Sequence, residues 1–168
     1  DKVIFITPMF NSEEYLTELV TSIIAQKNKN WEHIIVDDMS TDGSYKKALA
    51  LTKKDSRFKA IKSKEKKYSV RITIEESKKY QDANVIIAMI DSDDALMNDN
   101  TVDILLNAYR DEKLDTAWTA HYWDIHGMNI SGDLYPDEDP YKVDWTTSHL
   151  KTFRSSIIKN ISNKNFKD

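Results

Sequence analysis

Short runs of nearly uninterrupted apolar residues constrain this chain more than any other feature: "VIFI" at Val3 to Ile6, "HIIV" at His33 to Val36 and "VIIAMI" at Val85 to Ile90. A strand with one wet face alternates apolar and polar side chains, whereas runs like these are covered on both faces, the habit of a parallel sheet between helix layers. The segments between them carry helical spacing. Leu16, Leu19, Val20, Ile23 and Ile24 follow a capping-box-like pair, Asn11 and Glu14, and predict a helix face packed on a sheet. Further helices are expected over Tyr45 to Lys53 with Ala48, Leu49 and Leu51 as its apolar members, Ser69 to Tyr80, and Thr101 to Tyr109, with a third strand at "RFKAI", Arg57 to Ile61. This β-α-β-α alternation predicts the α/β class. Past Asp111 the pattern changes, and "TAWTAHYWDIHGMNISGDLY" with a turn at His126-Gly127 predicts a later antiparallel ribbon.

The 168 residues, 40% hydrophobic and 31% charged, fit one domain over 1–168 with a sizeable core. Its opening at Asp1 and its polar ending "NISNKNFKD" suggest a piece of something longer, truncated at the C-terminal end. A net charge of −4 argues against nucleic acid as a partner. The absence of cysteine excludes disulfides and thiolate metal sites and suits a reducing cytoplasm. No run approaches the roughly 20 apolar residues of a membrane span. The lysine-rich stretch from Lys53 to Lys67 reads as a solvated loop; the alternative is contact with acidic lipid at a membrane surface or with a phosphorylated acceptor.

Ligands of open α/β sheets bind beyond the carboxyl ends of the strands, and both acidic clusters lie there: Asp37 and Asp38 after the second strand, Asp91, Asp93 and Asp94 after the fourth. Residues two apart in extended chain point the same way, so Asp91 and Asp93 can face one ligand while Ser92 faces elsewhere. Carboxylates this close call for a cation, and their hard oxygens suit Mg2+ or Mn2+. With only Gly43, Gly127 and Gly132 present, neither the dinucleotide fingerprint nor the phosphate-cradling Walker loop can be written. A diphosphate bound here must be neutralised by a carboxylate-held divalent cation and a basic side chain instead.

Three segments, "TPMFNSEEYLTELVTSIIAQ", "WEHIIVDDMSTDGS" and "IAMIDSDDAL", resemble in order and spacing the opening of family 2 glycosyltransferases of the GT-A fold, and "HLKTFRSSII" resembles a later segment of some of them. The resemblance implies a sheet with Rossmann-like winding, a nucleotide-sugar donor with UDP as default, a glycan or other hydroxyl-bearing acceptor, and a divalent metal. It implies that Pro8 and Phe10 line the nucleotide pocket with Phe10 against the base. Asp38, or alternatively Asp37, would accept from the uracil N3–H, and Arg71 would approach the base or diphosphate. Asp91 would lie near ribose and metal, and Asp93, with Asp94 as alternative, would bind the metal. The inverting acceptor base would lie beyond Asp168, so the catalytic residue is unknown. Two departures stand out: Met39 occupies a position where the family often has glycine, and the asparagine usual after the arginine is missing behind Arg71.

Plainer roles compete. Asp38 could cap a helix beginning near Thr41, Phe10 could be core, and Arg71 a surface cation. Trp31, Trp118, Trp123 and Trp145 read as core or cleft wall, and His33, His121 and His126 as packed or surface residues. His149 resembles a position near the acceptor or metal side. Asp137, Glu138 and Asp139, between Pro136 and Pro140, read as an exposed loop rather than a base. The functional alternatives to a glycosyltransferase are a non-catalytic nucleotide-sugar-binding module and a Mg2+-binding phosphoacceptor receiver-like domain; a receiver's acidic pair follows its first strand, not its second. A sugar nucleotidyltransferase would open with a glycine- and arginine-rich loop, which "TPMFNSEEYL" is not.

Overall fold

The computed structural model describes residues 1–111, 113–120, 122–123, 128–129 and 150–161. The apolar runs form β1 (Val3–Met9), β2 (Trp31–Asp37), β3 (Phe58–Lys62) and β4 (Ile86–Met89), alternating with α1 (Leu16–Ile24), α2 (Ser44–Thr52), α3 (Tyr68–Lys78) and α4 (Thr101–Asp111). Then come β5 (Thr116–Trp118), the short β6 (Tyr122–Trp123) and β7 (Met128–Asn129), β8 (Lys151–Arg154) and a 3-10 turn over Ser155–Asn160. The main sheet has six strands in the order β3-β2-β1-β4-β8-β5. Its first four strands are parallel, while β8 runs antiparallel between β4 and β5. The expected ribbon is present as the antiparallel pair β6 and β7, and its His126-Gly127 turn lies outside the described residues.

Both faces of the sheet are covered, as the uniform apolar runs require. Val3, Phe5, Trp31, Ile35, Ile86 and Ala88 face one layer with α1, α2 and α4, and Ile4, Ile6, Ile34, Val36 and Ile87 face the other with Ile72 of α3. Neighbouring strand residues thus go to opposite cores, the two-residue period of a pleat. Pro8 is tolerated in a central strand because β1 pairs with β4 only from Val3 to Ile6, and Pro8 lies beyond that ladder.

Two local expectations need correction, and the packed alternative holds for His33. Asn11 does not cap α1: it has φ 50°, its Oδ1 accepts from the Thr41 amide at 2.8 Å, and the helix starts at Leu16 without a side-chain cap. The competing partner across the loops won. Ile24, at the edge of the α1 stripe, is exposed rather than packed on the sheet, and Leu49, an apolar member of α2, is exposed as well. His33 is wholly buried, its Nε2 2.8 Å from Thr7 Oγ1 and its ring beside Phe5 and Phe58, and burial pushes its pKa down to about 3.

Candidate functional site

Parallel winding gathers the ends of β1, β2, β3 and β4 on one rim. There the loop after β1 is tied to the loop after β2: Ser12 N donates to Ser44 Oγ at 2.8 Å, Gly43 N donates to Glu13 Oε2 at 2.9 Å, and Asn11 N donates to Ser40 Oγ at 3.0 Å. A Cβ at Gly43 would meet the carboxylate end of the flexible Glu13 side chain, so a larger residue there would displace that carboxylate from the Gly43 amide. Ser12 reaches a third loop as well, its Oγ 2.6 Å from Ser92 Oγ between Asp91 and Asp93. One buried serine thus links the loops of all three strands.

Where β1 and β2 end and the loop after β3 leads into α3 lies a cleft of about 180 Å3 lined by Pro8, Phe10, Asp38, Lys66 and Tyr68. Small-molecule sites usually measure about 300–1,000 Å3, so this one suits a single heteroaromatic ring rather than a whole nucleotide sugar. Phe10 is 48% exposed and presents its ring to the cleft rather than to the core. Asp38 is 3% exposed, with Oδ1 accepting the Lys67 amide at 2.7 Å and Oδ2 the Tyr68 amide at 2.9 Å. It therefore organises the start of α3, whereas the start of α2 is served by Asp42, whose Oδ1 accepts the Ser44 amide at 3.0 Å. The Ser44 hydroxyl and amide hold the Asp42 carboxyl below the usual carboxylate range. Asp37 is fully buried, accepts the Ser40 amide at 3.3 Å, and does not line the cleft.

Arg71 is placed differently from the expectation. Its Nε donates to Glu75 at 2.9 Å and its Nη2 to Glu65 at 2.9 Å, the Glu75 carboxylate raises its pKa first and Glu65 adds to it, and it is not among the residues lining the cleft. The cation in the cleft is Lys66. Its Nζ sits 3.3 Å from the Phe10 ring centre and 3.4 Å from Asp38 Oδ2. Sequence reasoning passed over Lys66 and Tyr68; their signal is that the lysine-rich loop follows the third strand and so ends on the same rim.

At the end of β4, Ser92 turns inward while Asp93 is exposed and Asp91 and Asp94 are half-buried, and the Asp94 amide donates to the Asp91 carbonyl at 3.2 Å. Tyr15, just before α1, approaches this loop: Glu14 chiefly, with a contribution from Asp93, raises its phenol pKa. No three metal-binding side chains converge among the described residues. The donor chemistry nonetheless fits a hard divalent cation, because Mg2+ is commonly held by one or two carboxylates with phosphates completing the shell. Trp145, His121, His126, His149 and the Asp137, Glu138, Asp139 group lie outside the described residues.

The glycosyltransferase GlyG of Streptococcus pneumoniae is 26% identical over 122 residues, 70% of this chain and 38% of that protein. RC0461 of Rickettsia conorii, an uncharacterized glycosyltransferase, is 26% identical over 147 residues, 80% of this chain and 23% of the relative. The chain thus spans well under half of these curated relatives. Among solved structures, S. aureus TarS 1-349 in complex with UDP superposes with TM-score 0.72 at 21% identity, covering 95% of this chain and 48% of that one. The Pyrobaculum calidifontis mannosyltransferase PcManGT, in complex with GDP-Man and Mn2+, gives 0.62 at 16% identity over 71% and 36% of the two chains. These likenesses establish the GT-A fold. The sequence model described as glycosyl transferase family 2 matches residues 4–160, and the chain belongs to that family.

Proposed function

We propose that this chain is the donor-binding part of a glycosyltransferase that moves a sugar from a UDP-sugar to a hydroxyl of a glycan or similar acceptor, with Mn2+ or Mg2+. One arrangement carries the reading: a ring-sized cleft with Phe10 and Asp38 on the same rim as the Asp91 to Asp94 loop, bridged by the Ser12–Ser92 hydrogen bond. Support comes from TarS, whose crystal structures include complexes with UDP and with UDP-GlcNAc, and from PcManGT, seen in complex with GDP-Man and Mn2+. Family membership removes the receiver-domain alternative.

In this reading Phe10 stacks on the base and Asp38 accepts its imino N–H, with Pro8 closing the wall. Asp91 and Asp93 would hold the metal, which when bound offsets the charge that grows on the leaving diphosphate. The Ser12–Ser92 bond fixes the distance between base pocket and carboxylates, and so positions the donor along the rim. Deprotonation of the acceptor hydroxyl is assigned to a carboxylate beyond Asp168. The single domain assigned to 1–168 and a cytoplasmic setting, at the membrane surface where the acceptor is lipid-borne, belong to the same proposal; the lack of cysteine suits it.

Calorimetric titration of UDP with Mn2+ or with excess chelator tests the reading. Binding should weaken strongly in chelator, and Asp93→Asn should remove most of that difference. Asp99→Asn, which only disturbs an exposed ion pair with Lys27 at 3.1 Å, should behave as wild type. Equal affinity with and without metal would rule out the metal-dependent site.

A further inference from the structure

We propose that Phe10 and Tyr68 are two walls of a base clamp and that the Lys66 ammonium, held by both rings, is an internal competitor that an incoming base displaces. The proposal rests on reading the cleft as nucleotide-binding and specifies what regulates entry to it. Lys66 Nζ lies 3.3 Å from the centre of the Phe10 ring and 5.7 Å from that of Tyr68. It is also 3.4 Å from Asp38 Oδ2 and donates to the Asp38 carbonyl at 3.1 Å. A base that stacks on Phe10 and donates to Asp38 needs the same ring face and the same carboxylate. Stacked carbon atoms sit about 3.5–4.0 Å apart, so ammonium and base exclude each other there.

Tyr68 supplies the second observation. It is 64% exposed and has φ 62°, a left-handed conformation that a residue with a side chain adopts only where its surroundings impose it. In that conformation the Tyr68 amide donates to the Asp38 carboxylate at 2.9 Å. The residue that would read the base thus also sets the ring that would cover it. Asn11 at φ 50° and Met39 at φ 70° stand directly after the cleft residues Phe10 and Asp38, so three left-handed residues cluster around one small cleft. Strain of this kind collects at ligand clamps.

Competition lowers apparent affinity by the fraction of molecules in which the cleft is open to the base. Uridine, which lacks the diphosphate, isolates this effect from any phosphate contact. NMR shift titrations of the 168-residue chain with uridine and UDP should give uridine binding about two- to fivefold tighter in Lys66→Met than in wild type, the scale of an exposed cation–π contact. Tyr68→Ala should bind uridine at least about fivefold more weakly, the loss of one stacking partner. Circular dichroism melts would establish that both variants are folded; Tyr68 and Lys66 are surface residues whose side chains support no core. Unchanged or weaker uridine binding by Lys66→Met would overturn the competitor, and wild-type affinity in Tyr68→Ala would overturn the clamp. In either case UDP binding by wild type would leave the nucleotide reading standing. Wild type that binds neither UDP nor uridine would sink that reading and this inference with it.

Discussion

Met39 occupies a backbone conformation made for glycine. Its φ of 70° follows directly from the Asp38 turn, and the left-handed region costs a residue with a Cβ about 1–2 kcal/mol. Its side chain is exposed and offsets little of that. Met39→Gly should therefore raise unfolding free energy by about 0.5–1 kcal/mol after the entropy of the freed chain is subtracted, and Met39→Ala should not. Paired urea melts of the two variants measure the difference; equal gains would place the effect in the side chain. At this scale Phe10 and Asp38 were legible because each follows an apolar strand directly, so the topology alone sends them to the rim. Lys66 and Tyr68 were not, because a lysine-rich loop looks solvated until the folded chain lays one of its ammonium groups on a ring. The ion pair of Arg71 was legible in the sequence, because Glu75 stands one helical turn further on, an ordinary surface pairing.

Elements were read more surely than their ends. All four parallel strands and four helices stand where periodicity places them, since that signal averages over many side chains. The α1 start was misjudged because Asn11 has a choice of partners, and the loop after β2, distant in sequence, supplies the better one. The insertion of β8 between β4 and β5 was not visible at all, because strand order is a long-range property. Arg154 secures it, donating from Nε to the Leu114 carbonyl at 3.0 Å and from Nη2 to the Tyr109 carbonyl at 2.5 Å. Arg154→Ala should cost about 1.5–3 kcal/mol, the worth of charge-assisted bonds. Its register opposite Ile86 puts it at the end of β4 away from the rim, so UDP affinity of the folded variant should be unchanged. Chemical denaturation paired with calorimetry would detect either outcome.

The molecule as a whole carries an acid-sensitive centre in His33. Its folded pKa, about 3, lies below the ordinary value of 6.5, so in the window between them the unfolded chain takes up a proton that the folded one refuses. Stability from the neutral ring is complete above about pH 6.5 and falls as pH drops toward 3, by about 2 kcal/mol at pH 5 for this one group. His33→Gln should flatten that slope between pH 6.5 and 4, even if the variant is less stable at neutral pH; an unchanged slope would assign acid lability to the carboxylates instead. The position of β8 has a consequence of another kind, in time. The four parallel strands of the rim are complete once β4 is made, but β4 receives its outer neighbour only from Lys151–Arg154. A ribosome adds the intervening roughly 60 residues in about 3–12 s at about 5–20 residues per second. Throughout that interval the nascent chain has its four parallel strands beside a bare strand edge, the place where a foreign strand can pair before β8 arrives.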